Sequence, residues 1–246
     1  MSWRLEAEPL RGLPEIEPGA DLASLIAAAG VEIGAGDVVV VSQKAVSKAE
    51  GRIVRLAGVA PSQRARDLAA QLGKEPEVVQ LVLDESVEVL RAERGVLITR
   101  TRHGLVCANA GVDRSNLPDA GLACLLPADP DASARALRAA LPGRPAVVIA
   151  DSFGRAWRLG QADVAIGCAG LRPLDDRRGT ADHAGRRLAA TVDAVADQAA
   201  CAAALARDKA GREAVVVVRG LERYVTEEDG PGAAAIVRPL DEDLFT

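Results

Sequence analysis

Aromatic side chains are almost missing from this chain: two Phe, two Trp and one Tyr among 246 residues. With 49% hydrophobic residues, the length suffices for one substantial core or two modest ones. Val, Leu, Ile and Ala have to fill it. Histidine is scarcer still. His103 and His183 are the only two, which excludes multi-His metal centres and leaves a Ser–His–Asp triad few ways to form. Cys107, Cys124, Cys168 and Cys201 lie far apart with no CxxC pair, so they read as small buried hydrophobes rather than zinc ligands. Any metal would be held mainly by oxygen, which favours magnesium, manganese or calcium. No apolar run approaches the roughly 18 residues of a membrane span. The N-terminal "MSWRLEAEPLRGLPEIEPG" carries Pro and acids where a signal peptide is apolar. A formal charge of -5 argues against a nucleic-acid surface. The expectation is a soluble cytoplasmic protein with small-molecule partners, no nucleic acid and no membrane.

What is present alternates. "DVVVVSQ" (37–43), "GRIVRL" (51–56), "GVLITR" (95–100), "GLVCANA" (104–110), "PAVVIAD" (145–151) and "EAVVVVRG" (213–220) read as strands. "ADLASLIAAAG" (20–30), "PSQRARDLAAQLG" (61–73) and "DASARALRAALPG" (131–143) read as helices, each closing on Gly. A stripe of Leu188, Val192, Val195, Ala199 and Ala203 predicts the longest helix over 185–208, with Arg187, Asp193 and Asp197 largely on its solvated face. "TRTRHGLVCANA" predicts an antiparallel hairpin turning at His103–Gly104. The fold class is α+β, with mixed sheets and packed helices.

Two acids stand at strand ends. Asp113 sits in the loop "NAGVDRSNLP", and Asp151 with Ser152 ends the apolar run "PAVVIA". Such loops present acids to a ligand without a strand's backbone demands, although Asx turns also collect Asp and Asn there. Carboxylates from separate strand ends, with a neighbouring hydroxyl and amide, suit a hard cation that keeps several waters. Only four lysines occur, and Lys44 and Lys48 cluster in "SQKAVSK" just after a strand, where an ammonium suits a phosphate oxygen. No GxxxxGK[ST] loop and no GxGxxG after a strand is found. These residues reach an oxygen-ligated metal site with phosphate contacts and name no nucleotide.

Five segments in order, "GLPEIEPGADL", "DVVVVSQKAVSKAEG", "CANAGVDRSN", "DSFGRAWRLGQADVAIGCAGL" and "DDRRGTADHAG", resemble the coenzyme F420-0:L-glutamate ligase family. The similarity runs from about Gly12 to about Tyr224. It implies one ligase domain over residues 1–246, with room for two intertwined subdomains, and a homodimer. It implies GTP-dependent addition of L-glutamate to F420-0 through γ-linked amides, with Mg²⁺ or Mn²⁺ and stimulation by K⁺. On matching positions, Asp113, Asp151 and Ser152 would hold metal. Asp208, in "ARDKAGR" (206–212), is the candidate for a further ligand. Leu13, Pro14, Glu15, Ile16, Ser42, Gln43, Lys48 and Asn116 would contact GTP, and Lys48, Asp113 and Asp151 would be catalytic.

Ser152 stands where Thr is common, Ala156 where Pro is frequent, and "ARDKAGR" departs from the usual Gly-containing loop. Some relatives carry a fused flavin-binding domain, which a chain ending at Thr246 is expected to lack. Phe153 and Trp157 are expected to wall the loop that aims Asp151, and Arg155, Arg158, Arg177 and Arg178 to clamp carboxylate or phosphate. The rival readings are a metal-dependent phosphohydrolase and a non-catalytic nucleotide-binding protein.

Overall fold

The computed structural model describes residues 4–208 and 211–243. Its strands are β1 (Glu6–Pro9), β2 (Val38–Ser42), β3 (Ile53–Arg55), β4 (Ser86–Glu93), β5 (Val96–Thr101) and β6 (Val106–Ala108). They continue with β7 (Leu122–Cys124), β8 (Ala146–Arg155), β9 (Arg158–Ala169), β10 (Leu174–Asp176), β11 (Val192–Ala194) and β12 (Val215–Arg219). The helices are α1 (Leu22–Ala27), α2 (Gln43–Ala49), α3 (Gln63–Leu72), α4 (Pro76–Asp84), α5 (Pro130–Ala140) and α6 (Val195–Ala206).

Five strands form the central sheet in the order β1-β12-β2-β8-β9. Only the β2–β8 pair is parallel, so the sheet is mixed and the fold is α+β. The uninterrupted valine runs of β2 and β12 follow from burial on both faces. Val39, Val41, Val147, Ile149 and Val217 pack towards α1 and α5, through Leu22, Ile26 and Leu137. The alternate residues Val38, Val40, Val148 and Val216 pack against Val195, Ala199 and Ala203 of α6. A third core, with Leu72, Val79, Leu97 and Leu125, gathers α3, α4 and β5. Aliphatic residues fill these cores, as the shortage of rings requires, and Cys107, Cys124 and Cys168 are buried free thiols.

The β5–β6 hairpin forms as expected, with Ile98 opposite Ala108. Gly73 closes α3 in the left-handed conformation at φ 65°. The helix expected over 185–208 starts ten residues late, at Val195. Asp182 Oδ1 accepts from the backbone N–H of Ala184 at 2.9 Å and of Arg186 at 2.8 Å, Leu188 bonds back to Thr180 at 2.8 Å and Val192–Ala194 pair with β10, so the backbone before Val195 is engaged outside a helix. Val192 and Asp193 instead lie on β11, and Asp197 is half-buried on α6, accepting from Ala165 N–H at 2.9 Å. "PAVVIAD" does not stop at Asp151. It runs on to Arg155 and returns as β9 through a two-residue turn. Among the described residues no helix is long and apolar enough to cross a membrane.

Candidate active site

The parallel pairing of β2 with β8 ends at Ser42 and Ala150, where β2 stops and β8 runs on. A cleft of about 950 Å³ opens beyond the end of this pairing, at the carboxyl end of β2, a common place for ligands of such sheets. Asp151 is the next residue of β8. Helix α2 leaves β2 without a loop, so Lys44 and Lys48, four residues apart, share one face towards the cleft.

The loop after β6 closes the opposite wall. Asp113 is fixed by a backbone pair with Cys124, N–H to carbonyl at 2.9 and 2.8 Å. Its Oδ1 accepts from Ser115 N–H at 2.7 Å. The Asx turn is therefore present, and the same side chain still lines the cleft. Lys44 Nζ lies 2.7 Å from Asp113 Oδ2 and donates to the Ser115 carbonyl at 2.7 Å. Lys48 is ion-paired with Glu15 and donates to the Asn116 carbonyl at 3.2 Å. Both lysines thus hold the 113–116 loop, and Lys48 ties it to the "LPEI" segment.

All twelve residues expected to hold metal or contact GTP line this one cleft: Leu13, Pro14, Glu15, Ile16, Ser42, Gln43, Lys48, Asp113, Asn116, Asp151, Ser152 and Asp208. They differ in availability. Ile16 is buried in the first core, and Gln43 is buried with its Oε1 accepting from Ser47 Oγ at 3.0 Å. Asp208 is exposed at the rim, with its backbone N–H donating to Glu213 at 2.7 Å. The neighbouring Lys209 and Ala210 of "ARDKAGR" lie outside the described residues.

Burial pushes the Asp151 carboxyl up to about 6, and the negative charges of Asp113 and Asp163 add to the rise. For Asp113 burial also acts upward, but the hydrogen bonds from Lys44 and Ser115 outweigh it and hold its carboxyl low. Repulsion between acids at one site is what a bound cation relieves. Two carboxylates and the Ser152 hydroxyl fit Mg²⁺ or Mn²⁺ retaining water. Among the described residues no group of three or more His, Cys, Asp or Glu gathers for a metal. Cys107 lines the cleft, but burial pushes its thiol up to about 12, aided by the charge of Asp151.

Two expectations are corrected. Phe153 does line the cleft, but Trp157 does not. It sits 82% exposed at the β8–β9 turn with φ 58°, because a two-residue turn places its side chain at the hairpin tip. Arg155, Arg158, Arg177 and Arg178 also lie off the cleft. Arg177 bridges Asp175 and Asp193, Arg178 holds Asp176 at 2.6 Å, and Arg155 donates to the Leu159 carbonyl at 2.8 Å. The arginines at the cleft are Arg207 and Arg212. Both belong to "ARDKAGR", the segment that departs from the usual Gly-containing loop, and no spacing rule marks them.

The model of the F420-0:gamma-glutamyl ligase family matches residues 12–220. The chain belongs to this family. It is 42% identical to the coenzyme F420:L-glutamate ligase of Methanothermobacter thermautotrophicus, over 96% of this chain and 96% of that one. It is also 42% identical to the enzyme of that name from Methanopyrus kandleri, covering 98% and 97% of the two chains. The one from Archaeoglobus fulgidus is 45% identical over 89% and 88%. The matched residues 12–220 include every residue that lines the cleft.

Proposed function

We propose that this member of the F420-0:gamma-glutamyl ligase family is a GTP-dependent ligase of coenzyme F420 biosynthesis. It adds L-glutamate to F420-0 and extends the tail through γ-linked amides. The observation that carries this reading is the convergence of twelve residues, from five separated segments, on one cleft. Near-full-length similarity to proteins named as coenzyme F420:L-glutamate ligases gives the reaction class.

A carboxylate does not condense with an amine unaided, because hydroxide or oxide is a poor leaving group. Transfer of the γ-phosphoryl group solves this. The bond from the γ-phosphorus to the β-phosphate oxygen breaks, one from phosphorus to the acceptor's carboxylate oxygen forms, and GDP leaves. The glutamate amine then attacks the acyl carbon, phosphate departs, and the nitrogen loses a proton. The "LPEI" segment, Ser42, Gln43 and Asn116 would position the nucleotide. Lys48 would offset the charge of phosphate and carboxylate brought together. Asp113, Asp151, Ser152 and Asp208 would hold Mg²⁺ or Mn²⁺, which when bound supplies charge neutralisation and a template. K⁺ stimulation and a homodimeric state complete the proposal.

The stoichiometry of turnover tests it. GTP consumption should match glutamate consumption one to one and stop when F420-0 is omitted. Phosphate release that ignores glutamate and acceptor would mean a phosphohydrolase. GTP binding with no turnover would mean a binding protein.

A further inference from the structure

Asp163 has no place in the reading above, yet it is 3% exposed in a chain whose other acids mostly face solvent. It lies on β9 directly across from Ser152 of β8. Ser152 Oγ donates to Asp163 Oδ1 at 2.6 Å, and the Arg207 guanidinium pairs with Oδ2. The Asp163 carbonyl accepts from Cys201 Sγ of α6 at 3.2 Å. Ser152 and Arg207 both line the cleft, and Asp163 lies behind them.

A hydroxyl has one proton and two lone pairs. With the Ser152 proton committed to a carboxylate, in a short charge-assisted bond, the hydroxyl oxygen faces the cleft as an acceptor. That is the state in which a neutral hydroxyl ligates a cation. The second oxygen of the same carboxylate holds Arg207, the residue before Asp208 and at the end of α6. Ser152 and Asp208 belong to segments more than fifty residues apart, and one buried side chain ties both.

The geometry points to Asp163 as a positioning residue. It aims the Ser152 hydroxyl oxygen at the divalent cation and anchors, through Arg207, the loop that carries Asp208. This rests on the metal-dependent reading of the cleft. Asp163 touches neither substrate nor cation and acts only through its two partners.

Asp163→Asn is informative because an amide has one acceptor. Ser152 and Arg207 are both donors here, so one of them must face the amide NH₂. The probe is Mn²⁺ alone, titrated into the apo protein and read by the loss of the free-ion EPR signal, with thermal melting alongside. Asp163→Asn should weaken Mn²⁺ binding by about tenfold or more, the usual effect of losing a ligand's hydrogen-bond partner. In a Ser152→Ala background the same substitution should cost clearly less than in the wild-type background, because only the tie through Arg207 to the Asp208 loop is left to lose.

A folded Asp163→Asn protein with wild-type Mn²⁺ affinity overturns the proposal. So does an equal loss in both backgrounds, which would mark a purely structural pair. If wild-type protein takes up no Mn²⁺, the metal reading falls and this falls with it. If Asp163→Asn does not fold, Asp163→Glu replaces it. That variant keeps the charge beside Arg207 and displaces the acceptor from Ser152, so Mn²⁺ affinity should fall, and unchanged affinity would overturn the proposal.

Discussion

The Nζ of Lys44 lies 2.7 Å from Oδ2 of Asp113 and also donates to the Ser115 carbonyl at 2.7 Å. One ammonium therefore neutralises the acid and pins the backbone of the loop that carries it. Lys44→Met removes both ties. The pair is partly exposed, so stability should fall by only about 1 kcal/mol. KM for GTP should rise about tenfold, equivalent to about 1.4 kcal/mol, because Asn116 loses its fixed position. Urea melts and steady-state kinetics check the two numbers; an unchanged KM would separate the loop from the nucleotide.

Asp113 and Asp151 come from different walls of the cleft and repel each other. Asn at either position keeps the shape and removes one carboxylate that the proposal assigns to the metal. Each variant should lose about 10²-fold or more in kcat/KM and keep its fold by circular dichroism. Asp151→Asn should be no less stable than wild type, since it relieves a charge that burial opposes. A large drop in stability with activity retained would contradict both parts.

Trp157 at the hairpin tip gives the opposite expectation. Trp157→Asn suits the positive φ of 58°, which Asn tolerates better than an aromatic residue. Stability should stay within about 1 kcal/mol of wild type, and GTP affinity within about twofold. Isothermal titration of the variant checks this, and a marked loss of GTP binding would return Trp157 to the site.

Gly167 belongs to the most characteristic segment of the chain but serves packing. A Cβ there would stand 2.3 Å from the backbone oxygen of Pro130, where α5 begins against β9. Backbone on both sides leaves little room to relax. Gly167→Ala should cost about 3 kcal/mol, seen as a lower urea midpoint at unchanged slope.

The parts of the molecule legible in its sequence are those governed by short-range chemistry. Val38–Val41 and Val215–Val218 announce strands buried on both faces, and Gly73 announces the end of α3. The helix over 185–208 was overdrawn because Leu188 and Val192 fall by spacing on the stripe of α6, while Asp182 turns the chain locally. The long β8–β9 hairpin has no clear signal in the sequence, because its outer half, with Arg155, Arg158 and Gly160, has no alternating apolar face. Asp113 is legible as a loop acid, and Asp151 as an acid following an apolar run, although β8 continues past it to Arg155. Asp163 is not legible: a lone acid within a strand reads as solvent-facing, and its partner Arg207 is 44 residues away.

The most direct measurement is mass spectrometry of F420-0 incubated with the purified protein, L-glutamate, GTP and Mn²⁺. The account predicts a ladder of products spaced by one glutamyl residue, dependent on GTP and absent with Asp113→Asn or Asp151→Asn. Unchanged F420-0, with GTP consumed or merely bound, would contradict it.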